Sequence, residues 1–350
     1  MSDPRRQALD ADVLAWMRDG WQPDDARFSR LALEIFRFQF EHCPPYQRFC
    51  RARSATPGSV VDWREIPAVP TGAFKEVALR SFPADLTRAT FRTSGTSSAQ
   101  RGELHLDTLA LYEASLLPPI RRFLFPDLAE GQRCRIIVMT PSPEETPDSS
   151  LSHMFGRMLG ALGTRDSSFC LRPASLLQAA TEPVALCGTA LAFAHLLDSI
   201  SPPQLPSGSR VMETGGFKGG HREIDRQTLY ASIEEKLAVP STRIVNQYGM
   251  TELGSQFYDS VLHEPAGPRR KLAPPWVRVR LIDPRTGQDA APGEPGIITI
   301  HDLANTGSIA AIQTADLGCP NGDDGFDILG REPGAEERGC SIAADLMLGG

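Results

Sequence analysis

The chain has 350 residues, of which 41% are hydrophobic, and a formal net charge of −7. A chain of that length and apolar content buries a large core, and more than one. No run of Lys and Arg with interleaved aromatics forms a basic stripe, which argues against a nucleic-acid partner, and the longest apolar stretches, such as Val184 to Leu197, are too short and too interrupted to span a bilayer.

The start, Met1-Ser2-Asp3-Pro4-Arg5-Arg6, leads into no apolar signal core, so a cytoplasmic protein is expected. The first ninety residues read as largely helical. Leu31, Ile35 and Phe38 recur at helical spacing with Phe36 and Phe40, and Pro44-Pro45 stops the run. A Pro-punctuated link, Ile66 to Pro70, then leads to Thr71-Gly72-Ala73-Phe74-Lys75. From about residue 90 the pattern becomes strand, loop, helix, repeated. Arg135 to Met139 is a buried-strand run, Val184 to Leu186 precedes a Gly-Thr turn and an apolar helix to Leu197, Arg210 to Met212 runs into Gly215-Gly216, and Arg243 to Val245 runs into a loop. Short apolar strands alternating with helices predict an α/β sheet covered on both faces. Further on the period changes to two. Val277, Val279 and Leu281 alternate with Arg278 and Arg280, a turn follows at Asp283 to Gly287, and Gly296 to Ile300 supplies the partner of a smaller β-rich unit closing over the sheet.

The seven cysteines (Cys43, Cys50, Cys134, Cys170, Cys187, Cys319, Cys340) are odd in number, scattered and without a C-x-x-C pair, which supports neither a zinc ribbon nor a thioredoxin-type site. Cys134 and Cys187 lie beside apolar strand-like runs and are expected in the core. Cys340 sits instead in the polar segment Arg338-Gly339-Cys340-Ser341.

Three separated segments carry the chemistry. The loop Asn246-Gln247-Tyr248-Gly249-Met250-Thr251-Glu252 offers an aromatic face, a hydroxyl and a carboxylate around a turning glycine, a set suited to a purine, a phosphate and Mg²⁺. The same segment also reads as a helix start, with Thr251 as cap and Glu252 in the first turn. Thr93-Ser94-Gly95-Thr96-Ser97-Ser98-Ala99-Gln100-Arg101-Gly102 is rich in hydroxyls and free N–H groups that can wrap phosphate oxygens, with Arg101 as its cation and no Gly-Lys-[Ser/Thr] of a Walker loop. The third is Thr314-Ala315-Asp316-Leu317-Gly318.

In order and separation these segments resemble the adenylate-forming enzymes, the superfamily of acyl-CoA synthetases and luciferases. Pro70 to Lys75, Ser149 to Gly156, Glu213 to Gly219, Gly330-Arg331 and Arg338 to Ser341 narrow the resemblance to the LuxE-type acyl-protein synthetases of fatty-acid reductase systems. The resemblance implies an α/β fold of the adenylate-forming N-domain type, with layered sheets covered by helices, a small β-rich subdomain and a severely truncated C-terminal domain. It divides the chain into a helical region packed on the core (1–90), an α/β nucleotide-binding core (91–265), the β-rich subdomain (266–325) and a remnant carrying Cys340 (326–350).

The same resemblance implies ATP and Mg²⁺ as cofactors. Nucleotide binding falls to Thr93, Ser94, Gly95, Thr96, Ser97, Gly215, Gly216, Tyr248, Gly249 and Thr251, with Asp316 and Arg331 on the ribose and Glu252 on the metal. Arg101 and His153 are the expected catalytic groups of acid activation, and Cys340 the nucleophile that accepts the acyl group, its thiol pKa lowered by Arg338. Two features depart from the superfamily pattern: an arginine stands at 101 where a lysine is usual, and no lysine follows Lys271. The expected substrate is a small-molecule carboxylic acid, by the resemblance a fatty acid, with an acyl reductase or a carrier protein as partner. The motifs also admit an acyl-CoA or acyl-carrier-protein ligase, or a non-catalytic adenylate-fold subunit.

Overall fold

The computed structural model describes residues 3–94, 101–199, 203–215, 225–322, 324–331 and 343–348. Three helices open the chain, α1 (Pro4–Asp19), α2 (Asp25–His42) and α3 (Pro44–Arg51). Asp3 and Asp24 cap the first two by accepting the backbone N–H of Arg5 and Arg27. The apolar stripe of α2 is buried as its spacing predicts, from Phe28 through Leu31, Ile35 and Phe36 to Phe40. Pro44-Pro45 does end α2, but it also begins α3, because a proline at the first helical position forfeits no intrahelical hydrogen bond. A short strand β1 (Val69–Pro70) and one turn of helix α4 (Ala73–Glu76) follow.

The hairpin of β2 (Ala89–Arg92) and β3 (Glu103–Leu106) stands apart as a two-stranded sheet. Then come α5 (Ala110–Pro119), β4 (Arg135–Met139), α6 (Ser150–Leu162), β5 (Ser168–Phe169), α7 (Ala174–Gln178), β6 (Val184–Thr189), α8 (Ala190–Ser199), β7 (Arg210–Thr214), α9 (Arg226–Leu237) and β8 (Ile244–Tyr248). Strands β4 to β8 pair in parallel, and β6 and β7 are buried almost throughout, as expected of strands covered on both faces. The Gly-Thr pair expected as a turn after β6 is its last two residues, so that strand passes into α8 without a loop. Cys187 is buried in β6, whereas Cys134 is only partly covered.

Antiparallel strands follow: β9 (Phe257–Asp259), β10 (Lys271–Leu272), β11 (Val277–Ile282), β12 (Gly296–Asp302), β13 (Ala311–Asn321) and β14 (Gly325–Arg331). They continue the sheet that the parallel strands begin. Its path runs β11-β12-β13-β14-β10-β9-β8-β7-β6-β4-β5, with β1 added on β13, twelve strands in all. The helical start locks onto the β12–β13 connection, where the buried Gln39 donates to the carbonyl of Asn305 at 2.9 Å and accepts from the N–H of Ala310 at 3.1 Å. Residues 343–348 are helical and return to α3, where Arg48 Nε donates to the carbonyl of Met347 at 2.5 Å. No helix among the described residues is long and apolar enough to cross a membrane.

Candidate active site

The sheet changes direction at β8. It pairs in parallel with β7 on one side and antiparallel with β9 on the other, so its carboxyl end opens at the boundary between the two kinds of pairing. Asn246, Gln247 and Tyr248 belong to the strand itself, and a turn rather than a helix follows. The alternative of a helix capped by Thr251 is therefore not what forms. The turn is held by Asn305, whose Nδ2 donates to the carbonyl of Glu252 at 2.7 Å, and by Ser115, whose hydroxyl donates to the carbonyl of Gly254. Thr251 and Glu252 are only 9% and 6% exposed.

The β2–β3 hairpin brings the two ends of the hydroxyl-rich segment, at Thr93 and Gly102, to this turn. Thr93 and Gly102 close its neck: the N–H of Thr93 donates to the carbonyl of Gly102, and the N–H of Gly102 donates to Thr93 Oγ1, both at 2.9 Å. Glu252 comes close to the same neck, since its Oε1 would lie 3.6 Å from a Cβ placed on Gly102. Ser94 follows Thr93 at the loop's edge, while Gly95, Thr96 and Ser97 lie outside the described residues. Arg101 is anchored rather than extended. Its guanidinium donates to the carbonyl of Thr93 at 2.6 Å and to Asp148 at 3.0 Å, just ahead of α6.

Tyr248 reaches in the other direction. Its hydroxyl donates to Asp316 Oδ2 at 2.8 Å, across 68 residues of sequence. Burial, then the Asp316 carboxylate, hold the phenol pKa well above its ordinary value, so Tyr248 remains a donor. Asp316 lies within β13, not at its end, and is in register with Arg331 on β14, whose Nε stands 3.9 Å away. Phe257 and Phe326 pack against the Tyr248 ring, with centroids at 5.9 and 6.4 Å.

Gly215 follows β7 with φ +96, a conformation glycine adopts without strain, and among the described residues no atom beyond its chain neighbours lies within 4 Å of where a Cβ would stand. Thr214 before it donates its hydroxyl to the carbonyl and side chain of Gln247, tying β7 to β8 at the site. Gly249, by contrast, is close-packed, since a Cβ there would meet Gln247 Nε2 at 2.6 Å. Gly216 lies outside the described residues, as does Cys340. His153, on α6, is held by Glu113 at 3.1 Å and lies beside Phe91 and Tyr112, with ring centroids at 5.4 and 5.9 Å.

Beneath these strand ends lies a buried polar network that no motif signalled. Glu213 accepts from Tyr230 at 2.8 Å and from Asn246 at 2.6 Å, and Asp259 accepts from Lys271 at 2.5 Å and from Arg269. Lys271 also donates to the carbonyl of Asn246 at 2.7 Å. Burial works against charge on both partners, yet the cations of Lys271 and Arg269 hold Asp259 below the usual carboxylate range. Burial pushes Glu213 up. The available signal was a charged residue inside each apolar strand run, namely Glu213 in β7, Asp259 in β9 and Lys271 in β10.

The site thus gathers an aromatic face, a buried carboxylate, a hydroxyl-rich loop and a paired acid at the carboxyl ends of parallel strands. Open α/β sheets bind ligands there, at the point where strand order changes. The fold is that of the adenylate-forming ligases. A 2-hydroxyisobutyryl-CoA ligase in complex with its acyl-AMP superposes with a TM-score of 0.66 at 14% identity, covering 90% of this chain and 70% of that one. ATP-bound MatB from Rhodopseudomonas palustris gives 0.51 at 18% identity, over 72% of this chain and 49% of its own. The chain thus spans about half the length of MatB.

Within that class the chain is similar to the LuxE acyl-protein synthetases. The profile of the family described as acyl-protein synthetase, LuxE, matches residues 180–348. A long-chain-fatty-acid–luciferin-component ligase of Aliivibrio fischeri is 22% identical, over 83% of this chain and 78% of its own length.

Proposed function

We propose that the protein activates a carboxylic acid, in keeping with its relatives a long-chain fatty acid, as an acyl-adenylate and then transfers the acyl group to a cysteine thiol. The ligase class rests on the relatives, which are named as ligases. One observation carries the assignment of the site: the nearness of Glu252 to Gly102 and the hydrogen bond of Tyr248 to Asp316 bring three segments far apart in sequence around one set of strand ends.

The residues present suit a nucleotide. The Tyr248 ring supplies an aromatic face for a flat base, and the positive φ of Gly215 turns the backbone at the end of the neighbouring strand. Asp316, with acceptor oxygens only, suits the vicinal hydroxyls of a ribose, with Arg331 beside it. Thr93, Ser94, Thr251 and the remainder of the loop would hold the phosphates. Glu252 is a single carboxylate, and no cluster of three or more His, Cys, Asp or Glu that could hold a metal exists among the described residues. That suits Mg²⁺, which takes one or two protein carboxylates and fills its shell with phosphate and water. Bound there, Mg²⁺ would neutralise triphosphate charge.

In the first step a carboxylate oxygen of the acid attacks the α-phosphorus, and pyrophosphate leaves with the electron pair of the broken bond. Arg101, released from Asp148, would face the charge that develops, and His153 the acid. In the second step the Cys340 thiolate, its proton already lost, attacks the acyl carbon and expels AMP, leaving a thioester for delivery to a partner such as an acyl reductase. Two described anchors bracket Cys340. Arg331 stands beside Asp316, and residues 343–348 dock on α3, so the chain between them can carry the thiol at most about 30 Å from Arg331.

Labelled fatty acid with ATP should tag the protein in a hydroxylamine-sensitive way, and Cys340→Ser should abolish the tag while acid-dependent pyrophosphate exchange survives. Equal labelling of Cys340→Ser would remove the nucleophile from the proposal. Glu252→Gln should lower the exchange itself by at least about tenfold, the loss expected even of an outer-shell partner of a metal.

A further inference from the structure

A second cavity, of about 340 Å³, lies between the face of β11–β13 and the segment joining α3 to β1, and its walls share no residue with the site around Tyr248. Strand register builds its floor. Arg280 on β11 pairs with Thr299 on β12, Thr299 with Gln313 on β13, and Gln313 with Pro70 on β1, so one line crosses four strands. Residues directly opposite one another share a face of the sheet, and all four line the cavity. His301, two residues beyond Thr299, lies on the same face.

Thr299 and His301 are 4% and 2% exposed, and Thr299 Oγ1 and His301 Nε2 have no hydrogen-bond partner among the described residues. Burying such groups unpaired is costly, and nearly all buried polar atoms in folded proteins avoid it. Two of them lining one cavity therefore point to a ligand that completes them. The charge of the walls says which kind. Among the described residues they include two arginines, Arg53 and Arg280, and neither Asp nor Glu. Arg280 is fixed in place by Asp289, at 2.8 Å from Nε, and by the carbonyl of Arg64, at 2.6 Å from Nη1. Burial, then Arg280 and Arg64, push the His301 pKa down to about 3, so the ring is neutral and sits in a positive field.

We propose that this cavity is a second ligand site, which takes a small molecule bearing an oxyanion, with Arg280 and Arg53 offsetting its charge and Thr299 and Gln313 donating hydrogen bonds to it. Its volume is in the range of small-ligand pockets, roughly 300–1,000 Å³. The site is independent of the proposed adenylation chemistry and stands or falls separately.

The test is calorimetric titration of the full-length protein with inorganic phosphate and, separately, with acetate, at low ionic strength. Saturable binding of either one is expected. Thr299→Val, nearly isosteric, should weaken it about tenfold, as losing one hydrogen bond to a charged group does, and Arg280→Gln should weaken it comparably if the valine variant fails to fold. Pyrophosphate exchange should be unchanged in Thr299→Val, and the anion affinity should be unchanged in Glu252→Gln. Which anion binds identifies the headgroup as phosphate or carboxylate. The proposal is overturned if neither anion binds saturably, if both cavity variants bind it as tightly as the wild type does, or if binding is lost only in Glu252→Gln, which would assign the anion to the nucleotide site.

Discussion

The parallel strands β4–β8 and the antiparallel strands β9–β14 form one sheet but put their polar groups in different places. In β4 and β6 the buried strand interior is apolar, and the proposed site residues of the parallel half lie at strand ends, at Thr214, Gly215 and Tyr248. In the antiparallel half polar side chains enter the body of the strands themselves, at Thr299, His301 and Asp302 on β12 and Asp316 on β13. The seam between them, β7 to β10, carries the buried network of Glu213, Asn246, Asp259 and Lys271. The contrast indicates a division of labour: a rigid apolar platform presents the loops, and a polar sheet delivers one distant acid to them. The network fixes the distance between the two.

The seam is where the comparison breaks most visibly. Lys271→Met leaves the buried Asp259 with Arg269 as its remaining described cation, beside the N–H of Asn246, and takes the donor from the carbonyl of Asn246, so a loss of about 3–5 kcal/mol is expected in denaturant unfolding, as for other broken buried pairs. A loss well under that would mean the halves are held together by packing and that the network only positions the site.

Acid titration sharpens the contrast within the antiparallel half. His301 has its pKa pushed down from 6.5 to about 3, chiefly by burial, and Asp302 has its own raised from 3.8 to about 6 by the same cause. Between those values for His301 the unfolded chain holds a proton the native ring does not, so stability falls as the pH drops from 6.5. For Asp302 the native carboxyl holds a proton the unfolded one does not, so stability falls as the pH rises from 3.8 towards 6. The two tilts oppose each other where they overlap. Asp302→Asn should expose the histidine tilt, at most about 1.4 kcal/mol per pH unit, with stability lost on acidification. His301→Gln should show the reverse slope. Urea midpoints measured across that window decide it, and parallel curves for wild type and both variants would refute the assignment.

The smallest expected effect tests the bridge between the halves. Tyr248→Phe removes only the hydroxyl that donates to Asp316 and should cost about 1–2 kcal/mol. Pyrophosphate exchange should show a raised KM for ATP with little change in kcat, because the ring face remains. An unchanged KM would separate the bridge from nucleotide binding.

Much of this was legible beforehand. The α2 stripe, the runs of β4, β6, β7 and β8, and the pairing of β11 with β12 all follow from side-chain period and turn residues, although β11 is half-buried and β12 buried throughout, without the alternation expected of β11. The motifs around Thr93 and Tyr248 were readable because each collects unusual polar residues at a strand end or turn, and that around Asp316 because it sets an acid and a hydroxyl inside a strand. The pairing of Arg101 with Asp148 was not, nor that of His153 with Glu113, because neither partner sits in a recognisable motif. The continuity of the β-rich strands with the main sheet was also hidden, because it depends on β9 and β10, which are three and two residues long.

The sequence by itself determined the elements, their apolar faces and the inventory of reactive groups, because these are local properties of period, turn chemistry and residue type. Tertiary structure alone decided which of those groups meet. The Tyr248–Asp316 bond, the nearness of Glu252 to Gly102, the charge seam and the polar row from Arg280 to Gln313 all depend on strand register, and register is set by how the whole sheet packs, not by any one segment.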